Sequence, residues 1–326
     1  MRPKVLLTGA SGRIGKRVLN KLLTKGYALH VLVHRNTPEV PTGCDVECVR
    51  GDILNQKQMM EAARGCQIIC HLAATFDMFP PAVFEKTNDS VFENIIHGTY
   101  NLLEAARSLS DFKLFLFAST DAVYATGPIK YESPITEETE LHPMPGRFYA
   151  VAKAAGENLS INYGKCYSLP WSIIRINWAL DESELLKTFD YKFWEDAISP
   201  EDRKILGPKL GGGKGLLCPL FMDGSPAVEQ IAHPDDTAEG FVLAIERYDK
   251  AKNNVFNIAA PGPFRYQDFI ERVAAELGKV YDSAKVSGFE PYAISNEKAR
   301  RLLGYNPKYT MEIMIEKALR AHADRN

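Results

Sequence analysis

Tyr149 and Lys153 stand four residues apart in the run Tyr149-Ala150-Val151-Ala152-Lys153. On a helix this spacing puts both side chains on one face. A lysine ammonium beside a phenol favours the phenolate and draws its pKa down from about 10. A phenol tuned in this way takes the proton of an alcohol as hydride leaves, or returns it to a carbonyl. Ser119 and Thr120 follow an apolar run at residues 113–118, so the Thr120 hydroxyl is placed to hydrogen-bond the same oxygen. Taken singly, the three residues are ordinary: a partly buried tyrosine, a surface lysine, a threonine capping a strand. Their order along the chain, after a glycine-rich turn, makes hydride chemistry the expectation.

That turn is Thr8-Gly9-Ala10-Ser11-Gly12-Arg13-Ile14-Gly15. It directly follows the apolar run Val5-Leu6-Leu7 and opens a helix with Ile14, Val18, Leu19, Leu22 and Leu23 on one face, ended by Gly26. In such a unit Gly9 permits a tight turn, Gly12 lets backbone approach a pyrophosphate, and Gly15 allows close helix–strand packing. The first helical N–H groups then point at the phosphates. Gly9, Ser11, Gly12, Arg13, Ile14 and Gly15 are therefore candidate dinucleotide-binding residues. An NAD-selective site places an acidic residue about 20 residues further on. This chain has His34-Arg35 there. Arg35, with Arg13, offers guanidinium forks for a 2′-phosphate, which favours NADP over NAD; otherwise Arg35 is a solvated surface charge. Asp52, after the third strand, is a candidate adenine contact.

The elements that must position these residues alternate. Strand-like runs fall at residues 5–7, 30–33, 46–49, 68–72 and 113–118, with helical patterns after Gly12 and at 56–64 and 93–108. This predicts an α/β fold, a Rossmann-type doubly wound parallel sheet covered on both faces. The pattern turns irregular from 175 to about 227, a stretch holding Phe189, Tyr191, Phe193, Trp194 and Gly211-Gly212-Gly213. Helical runs follow at 236–247, 266–277, 297–303 and 311–322. Residues 1–175 with about 229–260 are expected to form the nucleotide domain. About 176–228 and 261–326 would form a smaller C-terminal substrate-binding lobe over the sheet edge where ligands bind. The segment 188–195 and the loop 76–82 should face substrate, with Phe193 and Trp194 stacking on a sugar ring or, more simply, filling the core.

Composition excludes several classes. A chain of 326 residues, 45% hydrophobic, buries a large core. A net charge of −2 with no basic stripe argues against nucleic acid as partner. The first residues are too polar for a signal-peptide core, and no apolar run approaches the ~18 residues of a membrane span, so a cytoplasmic protein is expected. Cys44, Cys48, Cys66, Cys70, Cys166 and Cys218 lack zinc-ribbon spacing. They read as buried structural thiols, with no metal and no disulfide framework.

Together these runs resemble the extended short-chain dehydrogenases/reductases, the NAD-dependent epimerase/dehydratase family. The likeness is carried by the glycine turn, Gly51-Asp52, His71-Leu72-Ala73-Ala74, Gly98-Thr99, Ser119-Thr120-Asp121-Ala122-Val123-Tyr124 and Tyr149 with Lys153. It continues through Arg175, His233-Pro234-Asp235-Asp236, Phe256-Asn257-Ile258 and Leu303-Gly304-Tyr305-Asn306-Pro307, over nearly the whole chain in family order. The resemblance implies Thr120, Tyr149 and Lys153 as the catalytic set, with Lys153 also on the nicotinamide ribose. It adds His34, Ile53, Leu72, Ala73 and Ala74 to the cofactor site. It also implies a homodimer in which helices near 93–108 and 149–163 pack as a four-helix bundle.

Two departures narrow the reaction. Dehydratases of the family resemble Ser-Thr-Asp-Glu after the strand, whereas Ala122 follows Asp121 here, so the elimination base is missing. Nucleotide-sugar epimerases of the family carry an arginine four residues before the position of His233; here it is Glu229, a carboxylate that would repel a diphosphate. Lys209, Lys214 and Arg265 are the cations available to replace it. Phe76, Asp121, Ala122, Asn177, Phe193 and Trp194 are the candidate substrate contacts. The leading expectation is an NAD(P)-dependent oxidoreductase acting on a secondary alcohol or ketone of a sugar-like or small polyhydroxy substrate. A UDP-sugar 4-epimerase working by transient oxidation shares the same first step. A dinucleotide-sensing regulator without turnover would have no need of Tyr149 and Lys153.

Overall fold

The computed structural model describes residues 2–74, 88–126, 129–145 and 147–324. The apolar runs become strands β1 (Val5–Thr8), β2 (Leu29–Val33), β3 (Val46–Arg50), β4 (Ile68–His71), β5 (Leu114–Thr120) and β6 (Trp171–Ile176). After β7 (Gly215–Leu220) and β8 (Val228–Glu229), which lie elsewhere, β9 (Asn254–Ile258) returns to complete a seven-stranded parallel sheet. Its order is β3-β2-β1-β4-β5-β6-β9. β1 is flanked by β2 on one side and β4 on the other, so the order reverses beside it. That reversal opens a crevice at the strands' carboxyl ends, where the glycine turn and Thr120 both emerge.

Helices cover both faces. α1 (Arg13–Thr24) packs beside α9 (Pro234–Glu246), and Arg17, Lys21 and Lys25 meet Asp235, Glu239 and Glu246 at 3.0, 2.9 and 3.0 Å. The four-residue spacing of the three cations is what lines them up. On this side Leu7, Val18, Leu22, Phe241 and Phe256 form one core. On the other, α2 (Gln56–Ala62), α4 (Gly98–Arg107) and the 20-residue α5 (Phe148–Tyr167) bury Leu6, Ile69, Leu102, Phe115 and Phe117. The helix expected at 93–108 starts earlier, as α3 (Asn88–Val91), and passes through a π-helical turn at Phe92–His97 before α4.

The stretch read as irregular after Arg175 is folded. It contains α6 (Glu182–Leu185), α7 (Tyr191–Trp194), α8 (Pro200–Leu210, with the Ser199 hydroxyl accepting from Asp202 N) and β7. With β10 (Phe264–Arg265), α11 (Ile270–Leu277), β11 (Val280–Lys285) and α13 (Met311–Ala323) it builds a separate core of Phe189, Trp194, Leu216, Tyr266 and Ile315. β7 pairs in parallel with β11, and β8 antiparallel with β10. One part of the expected lobe belongs elsewhere. Ala299 and Leu303 of α12 (Glu297–Leu303), with Tyr305, pack into the sheet-side core under α9.

Of the cysteines, Cys66, Cys70 and Cys218 are buried, whereas Cys48 and Cys166 are exposed and all six are free. Cys48 sits on edge strand β3, which among the described residues has no strand on its outer side. Among the described residues no cluster of His, Cys, Asp and Glu has a metal-site arrangement. No described helix is long and apolar enough to cross a membrane.

Candidate active site

Between the sheet and the lobe lies a cleft of about 570 Å³. Its wall unites Gly9, Gly12, Arg13, Ile14 and Gly15 from the turn, Leu72 and Ala74 after β4, and Thr120, Tyr149 and Lys153. Residues more than a hundred positions apart in sequence thus meet in one concavity.

The cofactor end is built by close backbone approach. Gly9 has φ +72°, and a Cβ there would stand 2.7 Å from Ala73 N. A Cβ on Gly15 would stand 2.0 Å from the Gly9 carbonyl oxygen, a distance no side chain tolerates. Ala73 N also donates to the Thr8 hydroxyl at 3.1 Å, and that hydroxyl lies 2.9 Å from His71 Nδ1. Burial, followed by the nearby Lys153 charge, pushes the His71 imidazole down to about 3, so it stays neutral. This buried polar cluster ties β1 to the chain leaving β4 and keeps the turn tight. Gly12 is the N-cap residue of α1, whose first turn carries no acidic side chain. The tight turn and a helix N-terminus opening on the cleft suit a dinucleotide pyrophosphate.

Other expected cofactor residues lie outside the cleft wall. His34 and Arg35 follow β2 and are exposed, with His34 Nε2 4.0 Å from Asp52 Oδ2. Asp52 Oδ1 accepts from Leu54 N at 3.0 Å. Ile53 is buried and its carbonyl accepts from Asn101, so it supports α4. Ser11 is exposed and Ala73 lies behind the turn. Arg13 is placed differently from the expected 2′-phosphate partnership with Arg35. Its guanidinium donates to the Ala179 carbonyl and meets Glu184 of α6 at 2.7 Å, so the glycine turn is tied to the lobe.

At the reacting end, Thr120 closes β5 and its hydroxyl accepts from Ala122 N at 3.3 Å, starting a 3-10 turn over Asp121–Tyr124. Lys153 is buried, and its Nζ donates to the Ala118 carbonyl at 2.6 Å. It stands 5.7 Å from the centre of the Tyr149 ring. Burial draws the ammonium down to about 7, opposed by the Glu157 charge one turn along the helix. Tyr149 departs from the expectation that Lys153 lowers its pKa. Burial, then the charge of Asp121, push the phenol above its usual value, and only a hydrogen bond with Thr120 pulls it down. In this geometry loss of solvent sets the direction.

The inner end holds most of the expected substrate residues, with altered roles. Asp121 Oδ2 accepts from Asn177 Nδ2 at 2.9 Å and Trp178 N at 3.1 Å; Asn177 also donates to the Gln230 carbonyl at 2.8 Å. Both side chains line the cleft yet mainly brace the ends of β5 and β6 together. Ala122 lines the wall without polar chemistry. Trp194 both lines the cleft and packs in the lobe core, with its indole N–H on the Thr188 carbonyl at 2.8 Å. Phe193 stacks on Trp178 at 6.0 Å between centroids and 17° between planes. Phe76 and the loop 76–82 lie outside the described residues. Sequence reasoning missed Met144, Arg147, Trp178, Phe289 and Tyr292, which also line the cleft. Arg147, two residues before Tyr149, was the one within reach of a sequence signal; Tyr292 arrives from the far end of the chain.

Comparison with known proteins identifies the family. The family described as NAD dependent epimerase/dehydratase matches residues 5–259. The chain is 30% identical over 195 residues to L-arabinose 1-dehydrogenase (NAD(P)(+)) of Haloferax volcanii, covering 57% of this chain and 71% of that protein. It is 24% identical to a 3-beta-hydroxysteroid dehydrogenase of Mycolicibacterium neoaurum, over 98% of this chain and 92% of the other. Among solved structures, a short-chain dehydrogenase/reductase superfamily protein from Agrobacterium tumefaciens with bound NAD superposes with TM-score 0.79 and 25% identity, covering 99% and 98% of the two chains. A UDP-glucuronic acid 4-epimerase from Bacillus cereus has the same fold, with TM-score 0.73, 22% identity and coverage of 99% and 100%. The chain therefore belongs to the NAD dependent epimerase/dehydratase family of extended short-chain dehydrogenases/reductases, whose members are NAD(P)-dependent enzymes.

Proposed function

We propose that this enzyme transfers hydride between NAD(P) and a secondary alcohol or ketone of a small hydroxylated substrate, with Thr120, Tyr149 and Lys153 as the catalytic residues. The observation that carries this reading is their meeting with the glycine turn in one cleft. When bound, the nicotinamide gives or receives the hydride. Gly9, Gly12 and Gly15 would hold its pyrophosphate end, and Lys153 would hold its ribose end through the buried ammonium. The phenol of Tyr149, kept protonated by burial and by Asp121, is set to give its proton to a carbonyl oxygen that Thr120 also contacts. The carbonyl carbon gains the hydride with its electron pair, the oxygen gains the Tyr149 proton, and solvent restores the phenol. In alcohol oxidation the same atoms run in reverse.

Finer features follow the same reading. Arg35, exposed at the end of β2, is the residue we assign to a 2′-phosphate, which favours NADP. Exposed Phe92 and Tyr100 on the π turn and α4, with Val151 and Tyr167 on α5, support a homodimer formed through these helices; sedimentation velocity showing only monomer at micromolar concentration would contradict it. The function itself is tested by Tyr149→Phe. This variant should lose about 10²–10⁴-fold in turnover while still binding cofactor. A screen of sugars, uronic acids and UDP-sugars that scores both NAD(P)H and epimer product separates the dehydrogenase from a 4-epimerase. Full activity in the variant rejects the mechanism.

A further inference from the structure

The inner cleft carries a second buried acid for which hydride transfer has no use. Glu229 ends β8, is 3% exposed, and lines the cavity. One of its carboxyl oxygens accepts a hydrogen bond from the Tyr292 hydroxyl, which comes from beyond β11 to line the same wall. The charged and titratable groups that bear on it are Tyr292, Asp121 at the end of β5, and Tyr266 after β10. Burial first, then the Asp121 charge, push the Glu229 carboxyl up to about 8 against the pull of the Tyr292 bond. At neutral pH it is therefore a neutral acid, with a hydrogen to donate and an oxygen to accept. Such a group pairs well with a hydroxyl or carbonyl of a ligand in a wall that also carries the rings of Trp178, Phe193 and Phe289.

The three cations lining the cleft among the described residues are already engaged. Arg13 is bound to Glu184, Lys153 to the Ala118 carbonyl, and the Arg147 guanidinium lies within the field of Asp121. A diphosphate entering the inner end would meet two buried acids, with Arg147 of the described lining already facing one of them, and would also force Glu229 to stay protonated at higher pH.

We propose that Glu229, held by Tyr292, is a specificity-determining residue that fits the inner cleft to an uncharged hydroxylated substrate and turns away nucleoside-diphosphate-linked ones. This rests on the hydride-transfer reading of the same cleft, but its test does not need turnover. UDP-glucose is titrated by calorimetry into the full-length protein with NADP present, for wild type and for Glu229→Arg and Glu229→Gln. Wild type should bind more weakly than about 1 mM, and Glu229→Arg roughly tenfold or more tightly than wild type. Glu229→Gln, which keeps the size and removes the acid, should narrow the gap only above pH 8, where wild-type Glu229 becomes charged. Retained NADP binding shows that each variant is folded; if the arginine variant fails that control, the pH comparison of wild type with Glu229→Gln decides. Micromolar UDP-glucose binding by wild type overturns the proposal, as does a folded Glu229→Arg with unchanged affinity. Failure of hydride transfer would appear separately, as no NAD(P)H formed or consumed with any alcohol or ketone.

Discussion

Arg175 Nη2 lies 2.8 Å from Glu157 Oε2, with the two side chains 5% and 2% exposed. The pair sits directly beneath the reacting end of the cleft. Glu157 is one helical turn beyond Lys153 and also accepts from the Ser119 hydroxyl at 2.5 Å, while Arg175 donates to the Tyr124 hydroxyl at 2.5 Å. The Tyr124 hydroxyl in turn donates to Asn257 at 2.9 Å on β9. One buried network therefore joins β5, α5, β6 and β9. Removing one member strands a charge in the interior. Arg175→Met should cost about 3–5 kcal/mol of stability, read as a lowered midpoint in urea unfolding. A change below about 1 kcal/mol would mean that the network is dispensable to the fold.

Lys153 gives the pH dependence. Burial depresses its folded pKa to about 7, so the ammonium is present below that pH and lost above it. If the charge is what holds the ribose end and assists proton transfer, kcat/KM for carbonyl reduction falls as pH rises through about 7. Lys153→Arg, charged throughout this range, should flatten that limb even if its maximum rate is low. A limb of the same shape in the arginine variant assigns the ionisation to another group.

Glu229 makes the opposite use of a displaced pKa, in stability. Its folded value, about 8, lies above the ordinary carboxylate value of 4.5. Below pH 4.5 both states are protonated and the group contributes no slope. Between 4.5 and 8 the unfolded chain releases the proton while the folded chain keeps it, so wild-type stability falls with rising pH, by at most about 1.4 kcal/mol per unit. Above 8 both states are ionised and the slope ends. Glu229→Gln removes this term, so its stability relative to wild type should improve steadily from pH 5 to pH 8 in thermal unfolding. A constant offset across that window would show that Glu229 ionises normally in the folded protein.

Cofactor preference turns on an exposed side chain. Arg35→Ala should weaken NADPH binding by about tenfold, the loss expected for a charge-assisted contact of roughly 1.4 kcal/mol, and leave NADH nearly unchanged. Equal effects on both, by fluorescence titration, would leave Arg35 as a solvated surface charge.

What the chain determined by itself is the part written in short-range periodicity. Val5-Leu6-Leu7, the glycines after it, and the apolar stripe of α1 specify a β-α unit from local sterics and burial. The four-residue step from Tyr149 to Lys153 puts both on one face of α5 wherever that helix lies. Ala122 likewise departs from the dehydratase pattern of the family without any coordinates. Tertiary structure decided what depends on distance and on loss of solvent. It carried Tyr292 to Glu229 across 63 residues and Arg13 to Glu184 across 171, pairings for which no local pattern exists. It also reversed the expectation for Tyr149. Sequence spacing shows that a lysine is near the phenol, whereas the sign of the pKa shift depends on how much water the surrounding packing removes, and here burial raises it with the Asp121 charge acting the same way.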